Sequence, residues 1–424
     1  MPIRFIHTAD IHLGKTYRGS PGEKERFEDF FACLSGIVAD AVREEVDFVL
    51  IAGDLFHTGQ ILPRTFARTI EVLQPLKTAG IPCIAIEGNH DWIHRRDNIS
   101  WMEALSQMGY IRLLRPERTD EGGYRFAPFD SEEGAGGHVE IGGLNIYGLG
   151  YIGAHAGSQV PRICEAVATE DNILLFHVGV WSYTPVEIGK MQPQEAAPLA
   201  DTFGYVALGH GHKPYVIETD GGRPYAFNPG APECVNFGEE TYDKGYYLVT
   251  VDGSTFNHEF RPTAPRPMLS LAIDLGGAAH ASVAIDRFAG EAAAALGVPG
   301  EETRPLLQVK LYGKVGFHPF ELGRGQILAA LEEIASPLHV EIRNQLSLAA
   351  GAAEGEGAAH RSLAEIEREV LEELIGTGSA YQGSEPELAK LAMAIRERVL
   401  KGDAEGEDLL EMLTDAFEEP QDGA

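Results

Sequence analysis

Residues 3–14 have the sequence Ile-Arg-Phe-Ile-His-Thr-Ala-Asp-Ile-His-Leu-Gly, in which a short apolar segment is followed directly by polar side chains. The segment from Ile3 to Thr8 predicts a β-strand. Asp10 and His12 follow it, and in an extended chain side chains two residues apart point to the same side. The stretch therefore predicts a strand whose end carries two ligands that could face one metal ion.

The same arrangement, a strand followed by polar side chains, is repeated four more times along the chain. The further clusters are Gly53-Asp54, Gly88-Asn89-His90-Asp91, the segment that ends at His177, and Gly209-His210-Gly211-His212. In layered α/β folds, ligands collect beyond the carboxyl ends of the strands. We therefore expect the five clusters to meet at one edge of a sheet, where Gly53 and Gly88 would allow close approach of the backbone.

The side chains in these clusters supply imidazole, carboxylate and amide groups but no thiolate, which suits manganese, iron or zinc rather than a structural zinc site. Two ions about 3.5–4 Å apart, bridged by a carboxylate, favour attack of an activated hydroxide on phosphorus. His90 is not needed as a ligand, so it is the candidate to stabilise the phosphate or protonate the leaving oxygen. Each cluster alone also occurs in ordinary turns, and His177 could simply close a buried strand. The ordered set is what indicates a metal site.

The residues around the clusters predict an α/β fold. Apolar residues at helical spacing between positions 27 and 41 predict an amphipathic helix, and strand and helix patterns alternate as far as residue 86. Strands predominate after residue 124, which indicates two packed sheets flanked by helices. We expect a layered domain at residues 1–262, a small α+β domain at 266–346, a flexible linker at 347–360 and an acidic helical region at 361–424.

The acidic composition restricts how this protein could bind nucleic acid. The formal net charge is −30, and residues 354–424 alone contain 19 Asp and Glu against 6 Lys and Arg. A duplex binder usually presents a basic face, so phosphate must be attracted by local metal cations or by a partner protein. Gly14-Lys15-Thr16 resembles the end of a P-loop without its preceding glycines, so any ATP dependence would come from another chain.

The apolar segments and the cysteines indicate the compartment. The longest apolar runs are short strands such as residues 48–52, and no signal-peptide pattern precedes them, so we expect neither a membrane span nor secretion. Cys33, Cys83, Cys164 and Cys234 are scattered without a Cys-x-x-Cys pair, which favours unpaired thiols in a reducing compartment. We therefore expect a cytoplasmic protein.

The ordered motifs D-x-H, G-D, G-N-H-D, H and G-H-x-H resemble the pattern of the calcineurin-like metallophosphoesterase superfamily. Within it, residues 7–14 together with Gly53-Asp54-Leu55-Phe56-His57 look like the SbcD-type DNA exonuclease subunits, including the shorter YhaO-like bacterial branch. The resemblance extends over the layered domain. It implies an α/β fold with a four-layer α-β-β-α sandwich, a small α+β capping domain and a C-terminal helical tail.

The resemblance also implies the roles of the residues in the clusters. One ion would be held by Asp10, His12 and His212, and the other by Asn89, His177 and His210, with Asp54 bridging the two. His90 matches the family's catalytic histidine, His57 matches a histidine that positions substrate, and Asp91 would orient His90. The family prefers manganese, so Mn²⁺ is the expected metal, with iron or zinc as alternatives.

The activity implied by the resemblance is that of a 3′→5′ exonuclease on duplex DNA with endonuclease activity on single strands, acting in DNA repair. The implied partner is an SMC-like ABC ATPase of the SbcC type, docked on the acidic helices at residues 361–424. A disordered acidic tail is the alternative for those residues. The chain itself would form a homodimer. Two alternatives stay open, namely a phosphodiesterase or phosphatase acting on small nucleotides or phosphoproteins, and a non-catalytic scaffold subunit.

Overall fold

Two six-stranded sheets lie at the centre of the computed structural model, which describes residues 2–92, 99–167, 172–185, 188–297, 304–349, 363–376, 384–401 and 412. Most of the linker expected at residues 347–360 lies outside the described residues, as do parts of the acidic region at 361–424. Both expectations stay predictions for those positions.

The strands of the sheets are short, and many are buried along their whole length. In chain order they are β1 (Ile3–Thr8), β2 (Phe48–Ile51), β3 (Cys83–Ala85), β4 (Arg112–Leu113), β5 (Glu117–Arg118), β6 (Tyr124–Arg125), β7 (His138–Ile141), β8 (Leu144–Leu149), β9 (Asn172–Phe176), β10 (Gly179–Val180), β11 (Lys190–Met191), β12 (Tyr205–Leu208), β13 (Tyr215–Glu218), β14 (Pro224–Asn228), β15 (Gly245–Asp252), β16 (Thr255–Pro262), β17 (Met268–Asp274), β18 (Leu306–Val315) and β19 (His339–Leu348).

The helices flank the sheets or follow them in the chain. In chain order they are α1 (Glu23–Arg43), α2 (Pro63–Ala79), α3 (Trp101–Gln107), α4 (Ala156–Glu165), α5 (Pro193–Ala196), α6 (Leu199–Thr202), α7 (Ala281–Leu296), α8 (Arg324–Ala335), α9 (Leu363–Gly376) and α10 (Glu385–Lys401). In α1 the apolar residues at helical spacing, Phe27, Phe30 and Leu34 among them, are buried as the sequence predicts.

The first sheet has the strand order β16-β15-β1-β2-β3-β4, and the second has the order β13-β14-β12-β9-β8-β7. In the first, β1 pairs in parallel with β2 and antiparallel with β15. In the second, β9 pairs in parallel with both β12 and β8. These connections bring the carboxyl ends of the central strands to common edges, and it is there that the polar clusters begin.

Three apolar cores separate the chain into four layers. The core between the sheets contains Phe5 and Phe48 from the first sheet, with ring centroids 4.8 Å apart, and Tyr205 and Phe227 from the second, 4.2 Å apart. A second core lies between the first sheet and α1 to α3, and a third lies between the second sheet and α4 to α6. The expected α-β-β-α sandwich is therefore confirmed.

A small three-stranded sheet, β17-β18-β19, follows the two large ones. Its apolar face packs against α7 and α8, with Phe288 and Leu331 fully buried in this core. A short 3-10 turn and Gly323 precede α8, which begins at Arg324. The order of elements in this region is strand, helix, strand, helix, strand, which is an α+β arrangement.

Arg266 connects the small sheet to α1. Its Nε and Nη2 atoms donate to the two carboxylate oxygens of Asp29 at 2.6 and 2.7 Å, and its Nη1 donates to the carbonyl of Arg304 at 2.9 Å. Such a two-pronged pair fixes orientation as well as distance. Residues 1–17 and 22–347 accordingly form one compact unit, and the division into separate domains near residue 266 stays a prediction.

Residues 18–21 and 348–424 make up a second compact unit. In its described part, α9 and α10 contact each other, and Arg396 forms an ion pair with Glu367. Nowhere in the described part of the chain is a helix both long enough and apolar enough to span a bilayer.

Candidate metal centre

The five polar clusters meet at one edge of the two large sheets, each shortly after the end of β1, β2, β3, β9 or β12. Within the described residues, three groups of side chains have potential ligand atoms that lie within 4.8 Å of one another. The first group is Asp10, His12 and His212, the second is Asp54, His177 and His210, and a third, His12, His57 and His90, shares His12 with the first. The structure thus brings together the side chains that the sequence proposes as ligands of two ions.

Four of these residues have backbone torsion angles in the left-handed region. The φ angle is 53° at Asp10, 54° at His12, 51° at Asp54 and 76° at His210. The expectation that Asp10 and His12 converge from an extended strand is therefore wrong, because the chain turns sharply at each of them. Left-handed backbone costs on the order of 1–3 kcal/mol at a non-glycine residue and is concentrated at functional sites.

In the first group, the Nε2 atoms of His12 and His212 lie 3.1 Å apart. The Oδ1 atom of Asp10 accepts a hydrogen bond from the backbone N–H of His210 at 2.9 Å. Its Oδ2 atom is buried and has no hydrogen-bond partner among the described residues. A buried carboxylate oxygen normally has a hydrogen-bond donor beside it. Here the oxygen without a donor lies next to two imidazole nitrogens that face each other, and this combination suits a bound cation.

In the second group, Asp54 lies between the two sets of ligands. Its Oδ2 atom is 3.4 Å from Nε2 of His177 and 3.8 Å from Nε2 of His12, so one oxygen faces both groups. Its Oδ1 atom accepts from the backbone N–H of His90 at 2.8 Å. The Oδ1 atom of Asn89 lies 3.2 Å from Nε2 of His177, next to this group. The position of Asp54 is the one that a bridging carboxylate would occupy.

Hydrogen bonds on the far side of the rings orient two of the histidines. Nδ1 of His177 donates to the carbonyl of Ala52, and Nε2 of His210 donates to the carbonyl of Ile188, both at 2.7 Å. Since a carbonyl can only accept, the other nitrogen of each ring faces the cluster, and in the neutral ring that nitrogen carries a lone pair. An N–H bond of this kind selects the tautomer of a metal-binding histidine.

The electrostatics of the cluster follow from burial and close opposite charges. Burial disfavours protonation of His177, but the neighbouring Asp54 carboxylate outweighs burial and raises the pKa of His177 to about 9. Burial opposes ionisation of Asp54 as well, but His177 and His12 hold its pKa below the usual range. The Asp54 carboxylate therefore stays negative. A metal cation and the proton on His177 would compete for the place beside this carboxylate.

His57 and His90 lie beside the first group. Nδ1 of His57 is 3.4 Å from Nδ1 of His12, and the rings of His57 and His90 are stacked at 5.5 Å and 16°. Burial lowers the pKa of His57 to about 4, with Lys15 adding to the effect. His57 is therefore neutral at pH 7, and its ring can contact a substrate as a neutral donor or acceptor.

Asp91 does not make the contact expected of it. Its carboxylate accepts hydrogen bonds from the backbone N–H groups of Phe56, Gly88 and Leu55, at 2.8, 2.9 and 3.2 Å. Nδ1 of His90 instead donates to the carbonyl of His57 at 2.7 Å. The expected Asp91–His90 contact is thus corrected: Asp91 ties together the two loops that carry Asp54 and His90, and a backbone carbonyl orients the His90 ring.

A model of the family described as calcineurin-like phosphoesterase matches residues 3–214, the part of the chain that contains all five clusters. The chain belongs to this family. The resemblance seen in the motifs is therefore confirmed.

Relatives of this phosphoesterase include archaeal proteins named DNA double-strand break repair protein Mre11. The one from Saccharolobus solfataricus is 29% identical over 61% of this chain and 65% of its own length. Those from Methanopyrus kandleri and Haloferax volcanii are each 28% identical, over 61% and 65% of this chain and 56% and 55% of their own lengths. The match spans between about half and two thirds of these relatives.

Among solved structures, the chain matches one titled a dimetal phosphatase from Danio rerio. It is 13% identical, has a TM-score of 0.41, and covers 62% of this chain and 98% of its own.

Two glycines make the site of this phosphoesterase possible. A Cβ atom on Gly88 would lie 2.0 Å from Oδ1 of Asp54, and one on Gly53 would lie 2.2 Å from Nδ1 of His177. Real Cβ atoms do not approach so closely, so any larger residue would displace the side chain of Asp54 or of His177. The prediction that Gly53 and Gly88 permit close approach is borne out by these distances.

Sequence reasoning missed Glu239, which orients His212. Its Oε1 atom lies 2.7 Å from Nδ1 of His212, and its Oε2 atom accepts from Nζ of Lys244 at 2.6 Å and from the Val235 N–H at 3.0 Å. Burial opposes ionisation of Glu239, but His212 and Lys244 lower its pKa to about 2. No local pattern marks Glu239, because it lies in a short 3-10 turn 27 residues from its histidine.

Proposed function

We propose that this phosphoesterase hydrolyses phosphodiester bonds in DNA, as a 3′→5′ exonuclease on duplex ends and an endonuclease on single strands, in DNA repair. The observation that carries the proposal is the position of Asp54, one oxygen of which faces both groups of ligands, with His90 held beside them. The motif at residues 7–14 and the DNA-repair names of the relatives support DNA as the substrate.

The proposed ligands of one ion are Asp10, His12 and His212, those of the other are Asn89, His177 and His210, and Asp54 bridges them. The unpartnered oxygen of Asp10 and the ring nitrogens turned towards the cluster fit divalent cations. Mn²⁺ is the first choice for this mixture of imidazole, carboxylate and amide, with Fe or Zn as alternatives. Two bound cations would polarise the phosphate and supply an activated water.

His90 is the proposed catalytic residue of the chain itself. Its Nδ1–H is committed to the carbonyl of His57, so a proton can be held or released only at Nε2. A protonated Nε2 would stabilise the negative charge on the scissile phosphate and could deliver its proton to the leaving oxygen. His57, stacked on His90 and neutral, would position the substrate beside it.

Asp91 is proposed as a positioning residue rather than a proton carrier. Burial and the neighbouring Asp54 raise the pKa of Asp91 to about 7. The three backbone N–H groups that it accepts from belong to the loops around Asp54 and His90. Loss of this carboxylate would let the two loops move apart and would change the distance between the bridging ligand and the catalytic histidine.

The partner proposals concern the parts of the chain beyond the large sheets. The small domain at residues 266–346 is proposed as a DNA-facing cap, and α9 and α10 as the docking site of an SMC-like ABC ATPase of the SbcC type. Amphipathic helices commonly dock in an apolar groove of a partner. A homodimer is proposed as the working form, and a DNA substrate also fits the cytoplasmic location expected from the sequence.

The test compares two substrates with and without Mn²⁺. We expect Mn²⁺-dependent shortening of duplex DNA labelled at one end, and no shortening in EDTA. Hydrolysis of bis(p-nitrophenyl) phosphate without cleavage of DNA would instead favour the small-ester phosphodiesterase. Failure on both substrates at full metal occupancy would favour the scaffold. Because general acid catalysis contributes about 10²–10⁴-fold, His90→Asn should lower DNA cleavage by that factor.

The matched control for His90→Asn is His138→Asn. Nδ1 of His138 also bonds to a backbone carbonyl, that of Phe126, at 2.9 Å, but its ring stacks on Tyr147 in another part of the second sheet. We expect normal cleavage in the control and normal metal content in both variants. Cleavage at the normal rate by His90→Asn would show that the role given to His90 is wrong.

A further inference from the structure

His7 is a polar side chain in the apolar core between the two large sheets. It lies on β1 two residues after Phe5, so the two side chains point to the same face of the strand. His7 is fully buried, and its ring centroid lies 5.7 Å from that of Tyr205 on β12 of the second sheet. A buried imidazole is costly in such a core unless its nitrogens are hydrogen-bonded.

Both nitrogens of His7 bond to the second sheet. Nε2 lies 3.1 Å from the carbonyl oxygen of Leu208, and Nδ1 lies 2.9 Å from the hydroxyl oxygen of Tyr205. A carbonyl can only accept, so Nε2 carries the proton and Nδ1 accepts from the Tyr205 hydroxyl. Burial lowers the pKa of His7 to about 3, so the ring is neutral at pH 7. One imidazole therefore links β1 to the first and the last residue of β12.

The bond to Leu208 lies where β12 enters the metal centre. Leu208 is the last residue of the strand, and the cluster Gly209-His210-Gly211-His212 follows it directly. A second bond joins the same two segments, since the backbone N–H of His210 donates to Oδ1 of Asp10 at 2.9 Å. The ends of β1 and β12 are thus tied together by two hydrogen bonds immediately before and within the proposed ligands.

The end of β12 also packs tightly against the end of β2. A Cβ atom on Gly209 would lie 2.1 Å from the carbonyl oxygen of Ala52 and 2.9 Å from Nδ1 of His177. The same carbonyl of Ala52 accepts the hydrogen bond from Nδ1 of His177 at 2.7 Å. A shift of Leu208 would therefore move the segment that follows it and disturb His177 as well.

We propose that His7 is a positioning residue of the metal centre. Its hydrogen bond to Leu208 fixes the distance between the ends of β1 and β12, and hence the distance between the ligands that follow each strand. The inference rests on the metal centre of the proposed function and requires no DNA. A histidine that only packed the core would act through Tyr205 as much as through Leu208, whereas a positioning histidine acts through Leu208.

The experiment measures Mn²⁺ binding by calorimetric titration, together with the EPR spectrum of the Mn²⁺-loaded chain. His7→Phe keeps a ring in the core and removes both hydrogen bonds. Loss of a group that orients a metal ligand lowers metal affinity about 10–100-fold, and we expect about tenfold here because His7 acts through a strand end. Two Mn²⁺ ions that share a carboxylate couple magnetically, so a changed separation should also change the EPR spectrum.

The matched control is Tyr205→Phe, which removes the other hydrogen bond of His7 in the same core. It leaves Nδ1 of His7 without a donor, so we expect a lower midpoint of urea unfolding. Its Mn²⁺ affinity and EPR spectrum should match those of the unmodified chain. Equal losses of Mn²⁺ affinity in Tyr205→Phe and His7→Phe would overturn the proposal, because core packing would then account for both.

A second pair of variants keeps the test decisive if His7→Phe does not fold. The amide nitrogen of Gln reaches about as far as Nε2 of histidine and can donate to the Leu208 carbonyl, whereas the Asn amide is shorter and reaches only the place of Nδ1. We expect near-normal Mn²⁺ binding in His7→Gln and weak binding in His7→Asn. The same affinity in both variants would contradict the positioning role.

Cleavage assays separate this inference from the proposed function. Unchanged Mn²⁺ affinity and EPR spectrum in a folded His7→Phe would refute the positioning role and leave the phosphoesterase standing. The expected pattern of Mn²⁺ binding in a chain that cleaves neither DNA nor bis(p-nitrophenyl) phosphate would support the positioning role and refute the proposed function.

Discussion

Replacement of Glu239 by Gln tests how the ligands are oriented. The Glu239 carboxylate accepts from Nζ of Lys244 at 2.6 Å and lies 2.7 Å from Nδ1 of His212, and both Glu239 and Lys244 are about 95% buried. Loss of the partner of a metal-binding histidine typically lowers metal affinity 10–100-fold, which corresponds to about 1.4–2.7 kcal/mol. We therefore expect Glu239→Gln to weaken Mn²⁺ binding by that factor in a calorimetric titration.

The same change also leaves the Lys244 ammonium buried without its counter-charge. Removal of one partner of a buried ion pair costs about 3–5 kcal/mol, so Glu239→Gln should lower the free energy of unfolding in urea by about that amount. The companion variant Glu239→Gln/Lys244→Met removes the stranded charge. It should recover much of the lost stability while its Mn²⁺ affinity stays low, since His212 still lacks its carboxylate.

The companion variant decides between an effect on the histidine and an effect on folding. Recovery of stability without recovery of Mn²⁺ affinity would mean that Glu239 acts through His212. If the double variant regains both stability and affinity, the affinity loss in Glu239→Gln came from folding alone, and the orienting role given to Glu239 would be wrong.

Further predictions concern a glycine, a histidine and a cysteine. Gly88→Ala should abolish Mn²⁺ binding, because its Cβ would lie 2.0 Å from Asp54, whereas Gly36→Ala on α1, where a Cβ meets nothing within 4 Å, should bind normally in the same titration. Burial lowers the pKa of His339 in the folded chain. Below pH 6.5 the unfolded chain takes up a proton at this histidine more readily than the folded chain does, so the free energy of unfolding is highest above pH 6.5 and falls as the pH is lowered. Urea unfolding at pH 7.5 and 5.5 should therefore depend less on pH in His339→Phe than in the unmodified chain, and equal dependence would contradict this. Burial raises the pKa of the Cys83 thiol to about 12, so this thiol should react with a thiol reagent at pH 8 only after unfolding, and rapid labelling of the folded chain would contradict its burial.

Much of the layered domain could be predicted from the sequence, because its signals are local. The helical spacing of Phe27, Phe30 and Leu34 and the apolar run at residues 48–51 correspond to α1 and β2 as observed. The short polar clusters that follow the strands were recognisable for the same reason. Each ligand lies within a few residues of a strand end, and the sheet order then carries it to the common edge.

The sequence by itself thus determined the family, the order of strands and helices, and the candidate ligands, since residue type and spacing along the chain encode all three. Three features were decided by the tertiary structure alone. Asp10 and His12 have left-handed backbone torsions, and a backbone carbonyl rather than Asp91 accepts the hydrogen bond from the His90 ring. Glu239 forms a hydrogen bond with His212. The physical reason is distance along the chain. A hydrogen bond between residues 27 or 33 positions apart leaves no periodic trace in the sequence and exists only once the sheets have packed.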